Sequence, residues 1–139
     1  MTINEIQDEI IEEFALFDDW MDKYNYIIEQ SQSLDPLDDK DRIPKNLIDG
    51  CQSRVWITAA AKDGIVTFHA DSDAIIVKGL IALLMRVMNN QKAEDIATAD
   101  LYFIDKIGMK ENLSPTRANG FLSMIKQMKL YSIALTKVA

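Results

Sequence analysis

The chemistry open to this 139-residue chain runs through one thiol, one imidazole and one arginine in an unfavourable place. Cys51 is the only cysteine, in the run Asp49-Gly50-Cys51-Gln52-Ser53-Arg54-Val55-Trp56. A lone cysteine is commonly a buried core thiol. Here a glycine that permits a tight turn precedes it and the polar Gln52 and Ser53 follow, which points to a loop tip just before a strand, so a reactive thiol stands beside the core reading. The nucleophile is the thiolate, and an ordinary cysteine with a pKa of about 8.5 is only a few per cent ionised at neutral pH. A cation or a helix terminus is therefore expected to assist it. Arg54 and Arg117 are the candidates. Arg117 is the more unusual, because the first turn of a helix disfavours positive charge and an acid is the usual occupant. It is either a pair for a carboxylate or the sulfur, or a solvated surface arginine. His69 is the sole histidine, so a Cys-His dyad would have to use it, yet no spacing implies a partner. Asp71-Ser72-Asp73 reads as a helix cap, and Asp38, Asp39 and Asp41 as a solvated loop. No Gly-rich phosphate loop and no metal-ligand spacing is present.

Charge and composition narrow the classes. Fifteen basic against 22 acidic residues leave a net charge of −7, which disfavours partners bound through phosphates, so neither nucleic acid nor an anionic membrane is expected. One thiol cannot form an intramolecular disulfide, and a reducing cytoplasm is the expected location. The most apolar stretch, Gly79 to Met85, lies between Lys78 and Arg86 and falls far short of the ~20 residues that cross a bilayer. The acidic N-terminus does not resemble an export signal. A chain of this length is expected to form one domain, residues 1–139, whose core needs no metal or disulfide.

The elements that must position Cys51 follow from periodicity. Ile6, Ile10, Phe14 and Phe17 predict one short amphipathic helix, and Trp20, Tyr24, Ile27 and Ile28 a second capped by an aspartate. From Ser33 to Gly50 the pattern vanishes and Pro36, Pro44 and clustered charges predict a long loop, a type of connection that is often functional. Arg54 to Ala61 and Ile65 to Ala70 predict a hairpin turned at Lys62-Asp63-Gly64, with Val66, Phe68 and Ala70 on the covered face and Thr67 and His69 on the other. Ala74 to Met88, apolar nearly all round except at Lys78 and Arg86, predicts a central helix with Asp71-Ser72-Asp73 as its cap. The stretch from Ala93 to Ile107 is short helix or irregular and closes at Gly108. Ser114-Pro115 opens a last helix with a stripe of Phe121, Ile125, Met128 and Leu135, which frays at Val138-Ala139. Helices, then adjacent strands, then helices give an α+β fold with helices on one face of a small antiparallel sheet.

Three motifs in order resemble the SufE family of sulfur acceptors. Gly50-Cys51-Gln52-Ser53-Arg54-Val55-Trp56 is similar to that family's signature. Asp71-Ser72-Asp73-Ala74-Ile75-Ile76-Val77-Lys78-Gly79-Leu80-Ile81-Ala82 resembles its second motif and Leu113-Ser114-Pro115-Thr116-Arg117 its third. Lys23-Tyr24-Asn25-Tyr26-Ile27-Ile28 extends the likeness, which spans nearly the whole chain and also fits the related CsdE branch. The acid in Leu47-Ile48-Asp49 before the signature glycine and the tight turn at Lys62-Asp63-Gly64 are departures that bear on partner fit.

The resemblance implies a SufE/NifU-like fold and a protein that receives sulfur from a pyridoxal-phosphate cysteine desulfurase of SufS type, stimulates that enzyme, and passes the sulfur to a SufBCD-type iron–sulfur scaffold. It implies Cys51 as the persulfide acceptor, Arg117 as support or partner contact, and Gln52, Ser53 and Asp73 as partner-binding residues. The chain itself would bind no cofactor, the pyridoxal phosphate being on the partner. A second thiol would attack the new persulfide and release sulfide, so a lone cysteine suits a carrier, and the Ser33 to Gly50 connection would give the slack for Cys51 to move. The competing readings are a CsdE-type acceptor for another desulfurase, a regulatory subunit that carries no sulfur, and a stand-alone thiol enzyme that would need His69 as its base.

Overall fold

A computed structural model describes residues 1–136. The predicted fray at Val138-Ala139 lies outside them. Helix α1 (Ile3–Phe14) opens with a capping box, Thr2 Oγ1 accepting from Glu5 N and Glu5 Oε1 accepting from Thr2 N, and buries Ile3, Ile10 and Phe14. It starts and ends earlier than the spacing of Ile6 to Phe17 predicts; Phe17 lies past its end and packs its ring 5.0 Å from that of Tyr26. Helix α2 (Trp20–Gln30) is capped as expected, by Asp19 accepting from Asp22 N at 2.9 Å.

Strands β1 (Val55–Lys62) and β2 (Ile65–Ser72) form the predicted antiparallel hairpin. Its turn residues, Asp63 and Gly64, both have positive φ (55° and 80°), as a two-residue turn matched to strand twist requires. A third strand, β3 (Gln91–Lys92), pairs antiparallel with Ile65–Val66 and was not expected. Two residues carry no readable alternation; Asn90, at φ 60°, turns the chain so that its N–H reaches Val66 O after the central helix. One sheet face presents Val55, Ile57, Val66, Phe68 and Ala70 to a core shared with the helices. His69 lies exposed on the other face, opposite Thr58.

Helix α3 (Ile75–Met88) is buried on nearly every side, as its composition predicts. Its two charges are paired, Lys78 with Asp71 at 3.6 Å and Arg86 with Glu13 at 2.6 Å. The backbone of α2 presses against α3 at Gly79, where an added Cβ would lie 2.7 Å from the carbonyl carbon of Ile27. The stretch left open by the sequence holds α4 (Ala93–Ala97) and α5 (Phe103–Lys106), and left-handed Gly108 (φ 82°) turns the chain into α6 (Met109–Asn112). Helix α7 (Pro115–Thr136) begins with Ser114 Oγ accepting from Arg117 N and buries Phe121, Ile125 and Met128, with Leu135 half-buried.

Two expectations are corrected. Asp71 and Ser72 belong to β2, and α3 begins after Ala74 with no side-chain cap. Asp71 is buried instead, opposite Trp56. Burial works against its charge, but Ser72 N–H, the Arg42 guanidinium and Lys78 outweigh it and hold the carboxyl below its usual range. The second correction concerns Ser33 to Gly50, which is a pinned strap rather than a slack loop. Its 3-10 turns Asp39–Asp41 and Pro44–Asn46 flank Arg42, which pairs with Asp71 at 2.6 Å and lies 5.3 Å from the Trp56 ring centroid. Leu37 is buried, and Leu47 bridges to Trp56. A sequence of prolines and charges carries no periodic signal for these anchors, because Arg42 and Leu47 make theirs with β1 and β2.

Candidate functional site

The strap delivers the chain to a short loop, 49–53, whose two ends are fastened. At the first end Ile48 N donates to Val55 O at 3.0 Å. At the second, Asp73 Oδ1 accepts from Arg54 N at 3.1 Å, Asp73 N donates to Arg54 O at 3.3 Å, and Ser72 Oγ donates to the same carbonyl at 2.7 Å. The Arg54 and Asp73 side chains meet at 3.3 Å. Gly50, at φ 88°, supplies the left-handed turn that aims the next residue inward.

That residue is Cys51, half-buried with its Sγ 3.4 Å from Gly120 O on α7. The thiol is the donor in this contact, so only the protonated sulfur makes it, and burial pushes the thiol pKa up from its usual value. The expected lowering of the pKa by a cation is therefore not a property of the resting site. Cys51 lines a narrow cleft of about 90 Å³ whose apolar wall is Val77 and Leu80 from α3 and Phe121 and Met124 from α7. Gly120 keeps that cleft open: a Cβ there would stand 3.4 Å from Sγ.

Of the residues singled out by sequence, Arg117, Gln52 and Ser53 share this cleft with Cys51. Gln52 is exposed and Ser53 half-buried. Arg117, exposed in the first turn of α7, is in none of the ion pairs formed among the described residues. Its Nη1 donates instead to Tyr24 Oη at 3.3 Å. Arg54 is engaged by Asp73 and the Trp56 ring, and does not line the cleft. Asp73 is exposed, and any partner that binds it competes with Arg54. His69 opens on a different cavity, beside Asn89 and Arg86, and the structure does not bring it to Cys51.

Sequence reasoning missed Gly120, Tyr24 and the apolar cleft wall. A glycine inside a predicted helix is itself a signal of close approach and would have pointed to the first of these. A larger cleft, about 880 Å³, lies between the N-terminus and residues 90–100 and offers no thiol or imidazole. Among the described residues no group of His, Cys, Asp and Glu could hold a metal ion, and no helix is long and apolar enough to cross a membrane.

This arrangement holds a single sulfur, protonated and sheltered, at the tip of a five-residue loop, and beside it the Arg117 guanidinium, which pairs with no carboxylate among the described residues. Comparison with known proteins bears on the family and the fold. Residues 8–132 match the family described as SufE, Fe-S metabolism associated domain. The chain is 40% identical over 127 residues to an uncharacterized SufE-like protein of Rhizobium meliloti (strain 1021), covering 88% of this chain and 91% of the relative. It is equally similar, 40% over 127 residues, to an uncharacterized SufE-like protein of Rhizobium etli, with 88% and 86% covered. The fold matches the solution structure of a hypothetical protein from Thermus thermophilus with a TM-score of 0.76, at 18% identity, over 94% of this chain and 96% of that one. With the family match spanning nearly the whole chain and both relatives close, this chain belongs to the SufE family, whose domain is associated with iron–sulfur metabolism.

Proposed function

We propose that Cys51 is a sulfur acceptor and carrier. A cysteine desulfurase of SufS type presents a persulfide, the Cys51 thiolate attacks its terminal sulfur, the bond between that sulfur and the desulfurase cysteine breaks, and the departing thiolate takes up a proton. Cys51 is left as the persulfide, with no net oxidation or reduction. The sulfur then passes to an iron–sulfur assembly scaffold of SufBCD type. Pyridoxal phosphate serves only on the desulfurase, and removing its persulfide speeds its turnover, which makes this chain an activator rather than an enzyme. The cytoplasm is the compartment that keeps Cys51 reduced.

The observation that carries this reading is the sheltered state of Cys51. A stand-alone thiol enzyme needs its thiolate poised by a base, but here the sulfur is neutral at rest, faces a carbonyl and an apolar wall, and shares its cleft with no imidazole. A carrier benefits from the same features, because a sheltered sulfur is slow to react with stray oxidants and disulfides. The cost is that loop 49–53 must open for transfer, and its fastenings at Ile48–Val55 and Arg54–Asp73 confine that motion to a few residues. Arg117 and the exposed Gln52 and Asp73 are the groups that meet the partner.

The test is stimulation of alanine release by a SufS-type desulfurase of the same organism. Wild-type protein is expected to raise the rate and Cys51→Ser to abolish the increase. Stimulation that survives in Cys51→Ser would make the chain a regulatory subunit that carries no sulfur, and stimulation confined to a desulfurase of another type would place it in the CsdE branch.

A further inference from the structure

We propose that Tyr24 is a positioning residue that holds the Arg117 guanidinium at the mouth of the Cys51 cleft, where it faces an incoming anionic sulfur donor. The proposal deepens the acceptor reading and rests on it for its biological meaning, though not for its geometry.

Arg117 sits in the third residue of α7, after Pro115 and Thr116, where the helix dipole repels a cation. Nothing in the local sequence offsets that: among the described residues no carboxylate pairs with it. An exposed arginine without a partner samples many rotamers and spends little time over any one spot. The contact that restrains it comes from 93 residues away, where Tyr24 on α2 gives two attachments at once. The hydroxyl accepts from Nη1 at 3.3 Å, and the ring lies under the guanidinium, 5.9 Å from centroid to Cζ. Tyr24 is itself half-buried, on a helix locked to α3 by the close approach at Gly79, so it is a rigid support.

Both attachments engage the guanidinium without neutralising it. A carboxylate in the place of Tyr24 would hold Arg117 equally well but cancel its charge. A phenol leaves the charge and the remaining N–H donors free to meet an anion, which suits a residue lining the same cleft as a thiol that must receive a negatively charged persulfide.

The test compares alkylation of Cys51 by iodoacetate, an anion, and by iodoacetamide, its neutral analogue, at low ionic strength on the full chain. Their rate ratio cancels changes in sulfur exposure or thiol pKa, which affect both reagents alike, and so reads the charge at the mouth rather than a structural change. Arg117→Ala is expected to lower the iodoacetate to iodoacetamide ratio by about threefold, the scale of one screened charge several ångströms away. Tyr24→Leu should lower it as much, and the double variant no further, because Tyr24 acts through Arg117. Tyr24→Phe, which keeps the ring and removes only the hydroxyl, should fold like wild type and give a smaller fall, and it carries the test if the leucine variant does not fold. An unchanged ratio in Tyr24→Phe and Tyr24→Leu, an unchanged ratio in Arg117→Ala, or losses that multiply in the double variant would each overturn the proposal. No desulfurase enters the assay, so a protein that passes it yet takes up no sulfur refutes the acceptor reading alone.

Discussion

Two glycines inside helices, Gly79 in α3 and Gly120 in α7, offer a paired perturbation whose outcomes the structure separates. Replacing either by alanine removes the conformational penalty of a helical glycine, worth about 1 kcal/mol in favour of the folded state. At Gly120 the atoms nearest the new Cβ belong to Cys51, at 3.4 Å for Sγ and 3.8 Å for Cα, which is ordinary contact. Gly120→Ala should therefore be neutral to about 1 kcal/mol more stable. At Gly79 the Cβ would stand 2.7 Å from the Ile27 carbonyl carbon, 2.9 Å from Ile27 Cγ2 and closer still to the carbonyl oxygen. The obstacle is helical backbone and cannot rotate aside, so α2 and α3 must separate. Overpacking costs about 1–3 kcal/mol, and an immovable obstacle puts this case at the upper end, about 3. Subtracting the propensity gain leaves a net loss of about 2 kcal/mol, or a fall in Tm of about 6–10 °C for a domain of this size. Thermal unfolding followed by circular dichroism measures both. A Gly79→Ala protein as stable as Gly120→Ala would refute the close approach of the two helices, and with it the rigidity ascribed to the support of Tyr24.

The raised pKa and burial of Cys51 have a direct chemical readout. Alkylation by iodoacetamide at about pH 7.5 should be several-fold slower in the folded protein than in urea, and its rate should climb with pH through a midpoint above the ~8.5 of a free cysteine. A midpoint below that value would mean that a cation does activate the resting thiol. The Arg42–Asp71–Lys78 cluster sets an acid dependence. The Asp71 pKa is depressed on folding, so its contribution is complete above the unfolded value of about 4 and is lost as pH falls through the lower folded value. Asp71→Asn should cost about 2 kcal/mol in urea unfolding at about pH 7, because it leaves Arg42 over Trp56 with only the exposed Asp39 carboxylate, 3.5 Å away, for a partner, and the gap to wild type should shrink steadily below about pH 4. A gap that is constant with pH would show that the carboxylate charge is not what holds the strap.

What could be read from the chain alone was what adjacent residues decide. Asp63-Gly64 specifies a tight hairpin by its own backbone preferences, Asp19 caps α2 from one residue away, and the composition of 75–88 demands burial whatever surrounds it. Cys51 was legible as a loop residue because Gly50 and the polar pair after it are local too. The losses lie where a residue's role is set by a distant partner. Asp71 looked like a cap because acids and serines precede an apolar helix, whereas β2 runs two residues further and turns Asp71 towards Arg42, 29 residues back. For the same reason the strap looked slack and Tyr24 looked like one more apolar-stripe residue. The guanidinium of Arg117 was picked out by its clash with the helix dipole, but its tether could not be.

Intact mass spectrometry after mixing the protein with a matching desulfurase and cysteine tests the central claim most directly. The chain should gain the mass of one sulfur, on Cys51 alone, and lose it on reduction; Cys51→Ser should gain nothing. A protein that speeds its desulfurase while its own mass stays unchanged would contradict the account.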